Sequence, residues 1–304
     1  MRKLIAASLA AMLALAACSG DGTSGTESEG ASTASGADRT FDVSGVKKVD
    51  EIAALVPQAI KDKGSLTIGA AVDYAPAEFL ADDLQTAIGY DVDLGKAIGK
   101  VLGLETTVTN AEFAGLLPGI GTKYDIGMSA FTITEERTAS YNMVAYLEAG
   151  SAFATKKGNP NNFDPKNLCG KSIAVQNGTW QDEDLQAKDK ECKDAGKEGI
   201  NALVYGVHTD AATNVVGGKA DAFYADSTVA QYASTLSNGQ MEVIGDVLDS
   251  EPQGIVVAQN DKELTEAVQK AVQHLMDDGT WMEIMKSWGT EEAALTTATV
   301  YPEN

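Results

Sequence analysis

The chain has 304 residues, 44% of them hydrophobic, and a formal charge of −21, which is enough apolar material for one large domain or two small ones. An acid excess of that size opposes nucleic acid and anionic lipid surfaces, so neither is an expected partner. Only two histidines occur, His208 and His274, and no cysteine or carboxylate cluster stands at ligand spacing beside either, so no metal, cofactor or catalytic triad is expected.

In chain order, Arg2 and Lys3 precede LIAASLAAMLALAA (4–17), a basic head and an apolar run too short to span a bilayer comfortably. The run ends in LAAC and resembles a bacterial lipoprotein signal. That resemblance implies that residues 1–17 are removed and that Cys18 carries lipid. Residues 19–40 hold no side chain more apolar than Ala or Thr and read as a flexible tether, the lipidated cysteine and tether together being taken as 18–50. The folded body is therefore expected outside the cell, anchored to the membrane through its N-terminal lipid.

Beyond the tether, β-rich runs alternate with amphipathic ones. LTIGAAV (66–72) reads as a buried strand. GYDVDLGKAIGKVLGL (89–104) reads as a helix with Leu94, Ala97, Ile98, Val101 and Leu102 on one face and Gly103 at its C-cap. TTVTN is the next strand, EFAGLLPGIGTK (112–123) a helix and YDIGMSA (124–130) a strand. After the polar stretch KKGNPNNFDPKN a second block follows: strand SIAVQNG, a helix from about Asp182 to Ala195, strand NALVYGV, a helix from Thr209, strand DAFYAD and a helix from Ser227. Residues 121–125 (GTKYD) and 217–221 (GGKAD) each close a helix before a short strand, a weak internal echo that suggests two similar lobes. Strand QGIVVAQ (253–259), a long amphipathic helix ending before Gly279 and a shorter helix, TWMEIMKSW, would return to cover the first lobe. This alternation predicts an α/β fold with a parallel-rich sheet, whose ligands bind beyond the carboxyl ends of strands.

Cys169 and Cys192 form an even pair in an exported chain and are expected to be bridged, as a structural clasp with no redox CxxC nearby. The segment MSAFTITEER (128–137) runs from a strand into a loop whose Thr132 and Thr134 would cap a helix opening with Glu135 and Glu136. An arginine there, Arg137, adds a charged planar fork to a helix start that already favours anions. An Arg paired with Glu on a helix surface is an equally good reading of those residues alone. No GxSxG, Walker sequence or post-strand GxGxxG is present, so the sequence argues for binding without chemistry.

The ordered blocks GSLTIGAAVDYAPAEF, GYDVDLGKAIGKVLGL, NAEFAGLLPGIGTKYDIGMSAFTITEER, YLEAGSAFATKKGN, LCGKSIAVQNGTWQ, GGKADAFYADSTVA, EPQGIVVAQND and DDGTWMEIMKSWG span residues 64–290. Together they resemble the polar amino-acid family of ABC-transporter solute-binding proteins, extracellular solute-binding family 3. The resemblance implies a two-lobed periplasmic-binding-protein-like (type 2) fold with a ligand cleft: lobe 1 at 51–152, lobe 2 at 153–250 and a return to lobe 1 at 251–304. The crossings would fall near residues 152–156 and 251–257. It further implies that Arg137 clamps an amino acid's α-carboxylate with help from Ser129, Ala130 and Thr132. Tyr74 and Phe113 would sandwich the side chain, Gly178, Thr179 and Trp180 would supply a second helix start, and Asp226 would take the α-ammonium. The partners implied are a free amino acid and an ABC permease, with the binding protein a monomer.

Each aromatic also reads as core, and Asp226 also reads as an N-cap for the helix that follows. Many members carry an acid where this chain has Ala71, with Asp73 two further on, and a small hydroxyl residue where it has Trp180. Both departures lean from a cationic toward a neutral or apolar side chain. Two rival functions share the scaffold: a dehydratase-like enzyme using Asp73 or Glu78 as general acid, and a ligand-sensing module.

Overall fold

The computed structural model describes residues 39–303; the expected signal, Cys18 and most of the expected tether lie outside the described residues. The tether does not extend to residue 50. Phe41, Val43, Val46 and Val49 rest on the core, and the Phe41 N–H donates to Asp93 Oδ2 at 2.9 Å, so the apolar spacing of this short stretch already belongs to the folded body.

Helices α1 (Asp50–Ala53) and α2 (Gln58–Lys63) lead into strand β1 (Ser65–Ala70). There follow a small antiparallel sheet of β2 (Asp73–Tyr74), β3 (Glu78–Leu80) and β4 (Ala87–Ile88), helix α3 (Tyr90–Leu102), β5 (Glu105–Asn110), β6 (Ile126–Gly127) and the one-turn helix α4 (Glu135–Thr138). The long β7 (Tyr141–Lys156) crosses to β8 (Ser172–Gln176), α5 (Trp180–Asp194), β9 (Asn201–Tyr205), α6 (His208–Val216), β10 (Ala222–Asp226) and α7 (Ser227–Leu236). An equally long β11 (Met241–Ala258) returns to α8 (Lys262–Asp277), α9 (Thr280–Trp288) and β12 (Val300–Tyr301).

The main sheet runs β5-β1-β6-β11-β7-β10-β8-β9, with β12 added on β7. Pairing is parallel within each arm, β1 with β5 and β6, and β8 with β9 and β10. It is antiparallel where the arms meet β7 and β11, which lie antiparallel to each other, so the expected parallel-rich sheet is mixed at its centre. Midway, β7 exchanges one outer neighbour for another, and β11 passes from the inside of the sheet to its edge. Residues 142–149 of β7 and 251–258 of β11 belong with β6 and β12, whereas 151–155 of β7 pair with β10, and the β7–β11 register breaks between Leu248 and Glu251. The switch thus sits at 149–151 and 248–251, slightly before the expected crossings, and divides one sheet between two lobes.

Periodicity produced the helices it promised. In α3, Leu94, Ala97, Ile98, Val101 and Leu102 are buried, and Gly103 ends the helix in the left-handed conformation (φ 69°) that a Cβ would penalise. Helix α8 buries Leu264, Ala267, Val268, Ala271, Val272 and Leu275 and, with α9, covers lobe 1. The expected helix over 112–123 is instead two 3-10 turns, Phe113–Gly115 and Leu117–Gly119. Three glycines and Pro118 in that run remove helical propensity and a backbone donor, although its apolar spacing looks helical. The expected strand 124–130 shrinks to Ile126–Gly127, because Met128 to Ala130 leave the ladder to form a loop.

Lobe 2 has its own core of Phe153, Phe163, Ile173, Val175, Leu185 and Tyr224. The expected bridge joins Cys169 to Cys192 in the last turns of α5, with 23 residues of separation, worth about 3 kcal/mol in the loop-entropy account.

Candidate functional site

The chain turns out of β1, β6, β8 and β10 at their carboxyl ends, and the four loops converge. Tyr74, Phe113, Ser129, Ala130, Thr132, Arg137, Thr179, Trp180 and Asp226, nine of the ten residues expected at the site, line one small cavity with Gln176 and Gln181. Gly178 does not line it, but its carbonyl accepts from Arg137 Nη2 at 3.2 Å. Its own φ is 76°, and a Cβ there would lie 3.2 Å from the Ala114 Cβ, so glycine permits the close approach of this loop to lobe 1.

Arg137 is buried, with Nη1 donating to the Thr132 carbonyl at 2.8 Å and the guanidinium carbon 5.8 Å from the ring centres of both Phe113 and Phe131. Helix α4 is a single turn capped by Thr134 alone, whose hydroxyl accepts the Arg137 N–H; Thr132 instead bridges to Gln253 on β11. The surface Arg–Glu pairing is thereby excluded for Arg137. Burial lowers its pKa, opposed by Glu183, Asp226 and Glu136, and a guanidinium keeps its charge under such a shift.

Asp226 stands at the N-cap position of α7, yet its side chain makes no capping hydrogen bond. The carboxylate turns toward the cleft, where Gln181 Nε2 donates to Oδ1 at 2.7 Å and Gln253 Nε2 to Oδ2 at 2.8 Å. Burial raises its pKa, and those two amides, Tyr74 and Arg137 pull the other way. The Tyr74 hydroxyl accepts the Asp226 N–H at 3.2 Å across the lobes, and Asp73 accepts the His208 N–H at 2.6 Å beside it. Phe113 stacks on Phe131 with ring centres 4.9 Å apart, so it is both core and cavity wall. Thr179 caps α5 by accepting the Asp182 N–H, and the half-buried Trp180 opens that helix.

Three glutamines escaped sequence reasoning. Gln176 ends a buried strand, and Gln181 and Gln253 hold Asp226. A polar residue closing an otherwise apolar strand was the available signal for Gln176, and nothing in spacing marks the other two. His208 is buried between Tyr74 and Phe223, and burial drives its pKa down to about 3, which keeps the ring neutral. Neither proposed general acid lines the cavity. Asp73 is committed to the His208 N–H, and Glu78 lies behind Ser129, whose hydroxyl donates to it.

The family model described as bacterial extracellular solute-binding proteins, family 3, matches residues 66–291. The arginine-binding protein ArgT of Corynebacterium glutamicum is 38% identical over 255 residues, 83% of each chain. An ancestral arginine-binding protein bound to glutamine superposes with a TM-score of 0.68 at 29% identity, covering 75% of this chain and 99% of that one. The ancestral amino acid-binding protein AncCDT-1, a precursor of cyclohexadienyl dehydratase, gives a TM-score of 0.66 at 29% identity, over 77% of this chain and 99% of that one.

Proposed function

From a chain that belongs to the bacterial extracellular solute-binding proteins of family 3, we propose a receptor that captures a free α-amino acid between its lobes and delivers it to the permease of an ABC importer. The observation that carries this reading is the convergence of Arg137, from the lobe 1 loop after β6, and Asp226, from the end of β10 in lobe 2, on one cavity. A zwitterion removed from water needs a partner for each charge, because an unpaired buried charge is prohibitive. Arg137 suits the α-carboxylate and Asp226 the α-ammonium. Thr132 and the start of α5 add donors, and Tyr74, Phe113 and Trp180 supply apolar walls.

The cavity leaves only about 10 Å³ to the centre of a water-sized sphere, and Arg137 and Asp226 are satisfied by protein groups, so capture requires the lobes to part and these internal bonds to exchange for ligand bonds. Strands β7 and β11, which run from one lobe into the other, are the natural hinge.

For the ligand side chain, L-arginine is the first candidate. An arginine-binding relative is 38% identical, and Glu183 adds acid beside Arg137. Ala71 and Trp180 favour a neutral side chain instead, and a glutamine-bound arginine-binding ancestor of the same fold makes that the competing outcome. The dehydratase-like alternative finds no support in the placement of Asp73 and Glu78. We also propose that Cys18 carries the lipid anchor and that the receptor acts as a monomer.

The test is calorimetric titration of the purified protein with each of the twenty amino acids, with the ligand's mass checked afterwards. Saturable heat with unchanged ligand is expected, and conversion of the ligand would establish the enzyme. Arg137→Ala should weaken binding by about 100-fold or more while the melting profile stays native, as expected for removing one partner of a buried charge pair.

A further inference from the structure

Beneath the ligand loop lies a pair of carboxyls that the proposed capture leaves unused. Glu78, at the start of β3, is 0% exposed and Asp91, in the first turn of α3, is 1% exposed. Each holds one residue of the cavity wall. Ser129 Oγ donates to Glu78 Oε1, and the Ala130 N–H donates to Asp91 Oδ2 at 2.9 Å. Ser129 Oγ also accepts the Ala71 N–H at 3.0 Å. Ala130 has φ 48°, a left-handed conformation unfavourable for a residue with a Cβ, so its anchoring by Asp91 maintains a strained turn.

The remaining oxygens, Glu78 Oε2 and Asp91 Oδ1, are buried without any other partner. Two ionised carboxylates side by side would repel, and although the Tyr146 hydroxyl can donate to Asp91, Glu78 Oε2 would stay orphaned. One proton between them satisfies both. We propose that Glu78 and Asp91 share a single proton and act as one positioning pair, fixing Ser129 and Ala130 in the geometry that receives the ligand. The inference rests on the capture reading above for its functional consequence, though the shared proton itself does not.

The surroundings agree. Asp73 and Asp226 add negative potential around the pair, and the facing phenols of Tyr90 and Tyr146 are themselves neutral. Burial, then the neighbouring Asp91, lifts Glu78 well above the ordinary carboxylate range, and burial lifts Asp91. Because the hydroxyl proton of Ser129 is committed to Glu78, that hydroxyl offers the cleft a lone pair and no donor, and any help Ser129 gives a ligand carboxylate comes from its backbone N–H. Both folded-state pKa values are raised, so the pair's support of the loop is complete while the proton is held and fails as pH rises through the raised range.

Glu78→Gln keeps a carbonyl for Ser129 and puts an amide N–H where the shared proton was; Glu78→Ala removes both. The protein and these variants are incubated with an equimolar mixture of the twenty L-amino acids, separated from free ligand, and the retained amino acid is measured by mass spectrometry at neutral and alkaline pH. An infrared spectrum records the C=O stretch of buried protonated carboxyl. Wild type and Glu78→Gln should retain the same amino acid to within about threefold at neutral pH, and Glu78→Ala roughly tenfold less. Alkaline pH titrates the ligand's own ammonium in both proteins, so wild type should weaken by more than Glu78→Gln does, and the carboxylic-acid band should vanish in Glu78→Gln. A Gln variant as weak as the Ala variant, an Ala variant as tight as wild type, or the absence of the band in wild type would overturn the proposal. If Glu78→Ala does not fold, the Gln variant and the pH series decide. If wild type retains no amino acid, the capture reading fails while the infrared band still decides the shared proton.

Discussion

Lobe 1 and lobe 2 hold their halves of the cleft by different means. Lobe 1 buries two tryptophans outright, Trp281 and Trp288, whose indole N–H groups donate to the Tyr146 carbonyl at 3.0 Å and to Asp93 Oδ2 at 2.9 Å. Lobe 2 has a smaller core, and its helix α5 buries only Gln181, Asp182, Leu185 and Cys192 of fifteen residues. A disulfide ties down the end of α5 farthest from the cleft, and the amide of Gln181, joined by that of Gln253 from lobe 1, holds the charged residue that lobe 2 presents. Apolar area thus fixes the arginine side, whereas a covalent link and a polar network fix the aspartate side. The two sides should fail differently.

The largest expected effect is on lobe 1. Trp288→Ala should cost about 3–5 kcal/mol, from the lost transfer energy, the cavity and the lost hydrogen bond to Asp93, read as a lower midpoint in chemical denaturation. Replacing both Cys169 and Cys192 by Ser should cost about 3 kcal/mol and, unlike the tryptophan change, should also weaken ligand binding, because the start of α5 belongs to the site. Equal binding in the doubly substituted protein would show that α5 is held by packing alone, erasing the contrast.

Acidification gives the smallest effect and separates the poles. Asp226 has a raised folded-state pKa, so its contribution to the stability of the unliganded protein is present at low pH and lost as pH rises through that value. Ligand capture needs the ionised form. Lowering pH from neutral should therefore weaken binding a few-fold while sparing the unliganded melting temperature, and Asp226→Asn should flatten the binding profile. A profile unchanged by that substitution would assign the dependence to another group.

Much of the scaffold was legible because long elements carry period. Leu94, Ala97, Ile98 and Val101 announce α3, and Leu264, Val268, Ala271 and Leu275 announce α8. The 112–123 run has similar apolar spacing but contains Pro118, and local backbone chemistry overrode the pattern. Strand β11 was read only in its apolar second half: its first half, from Met241, is mostly exposed or half-buried because it edges lobe 2, and no single period covers both environments. Arg137 and Asp226 could be named because a motif carries them. Their supporting shell could not, since Gln181 and Gln253 meet Asp226 only in three dimensions. Glu78 and Asp91 look like surface acids until the fold buries them.

The account stands on a guanidinium and a carboxylate from opposite lobes gripping the two ends of one amino acid. The direct measurement titrates wild type and Asp226→Asn with the amino acid selected from the panel and with the same compound lacking its α-amino group. Wild type should lose about 100-fold in affinity when the amino group is removed, and Asp226→Asn should scarcely distinguish the two compounds. If Asp226→Asn discriminates between them as strongly as wild type does, the ammonium is held elsewhere and the two-pole account is wrong.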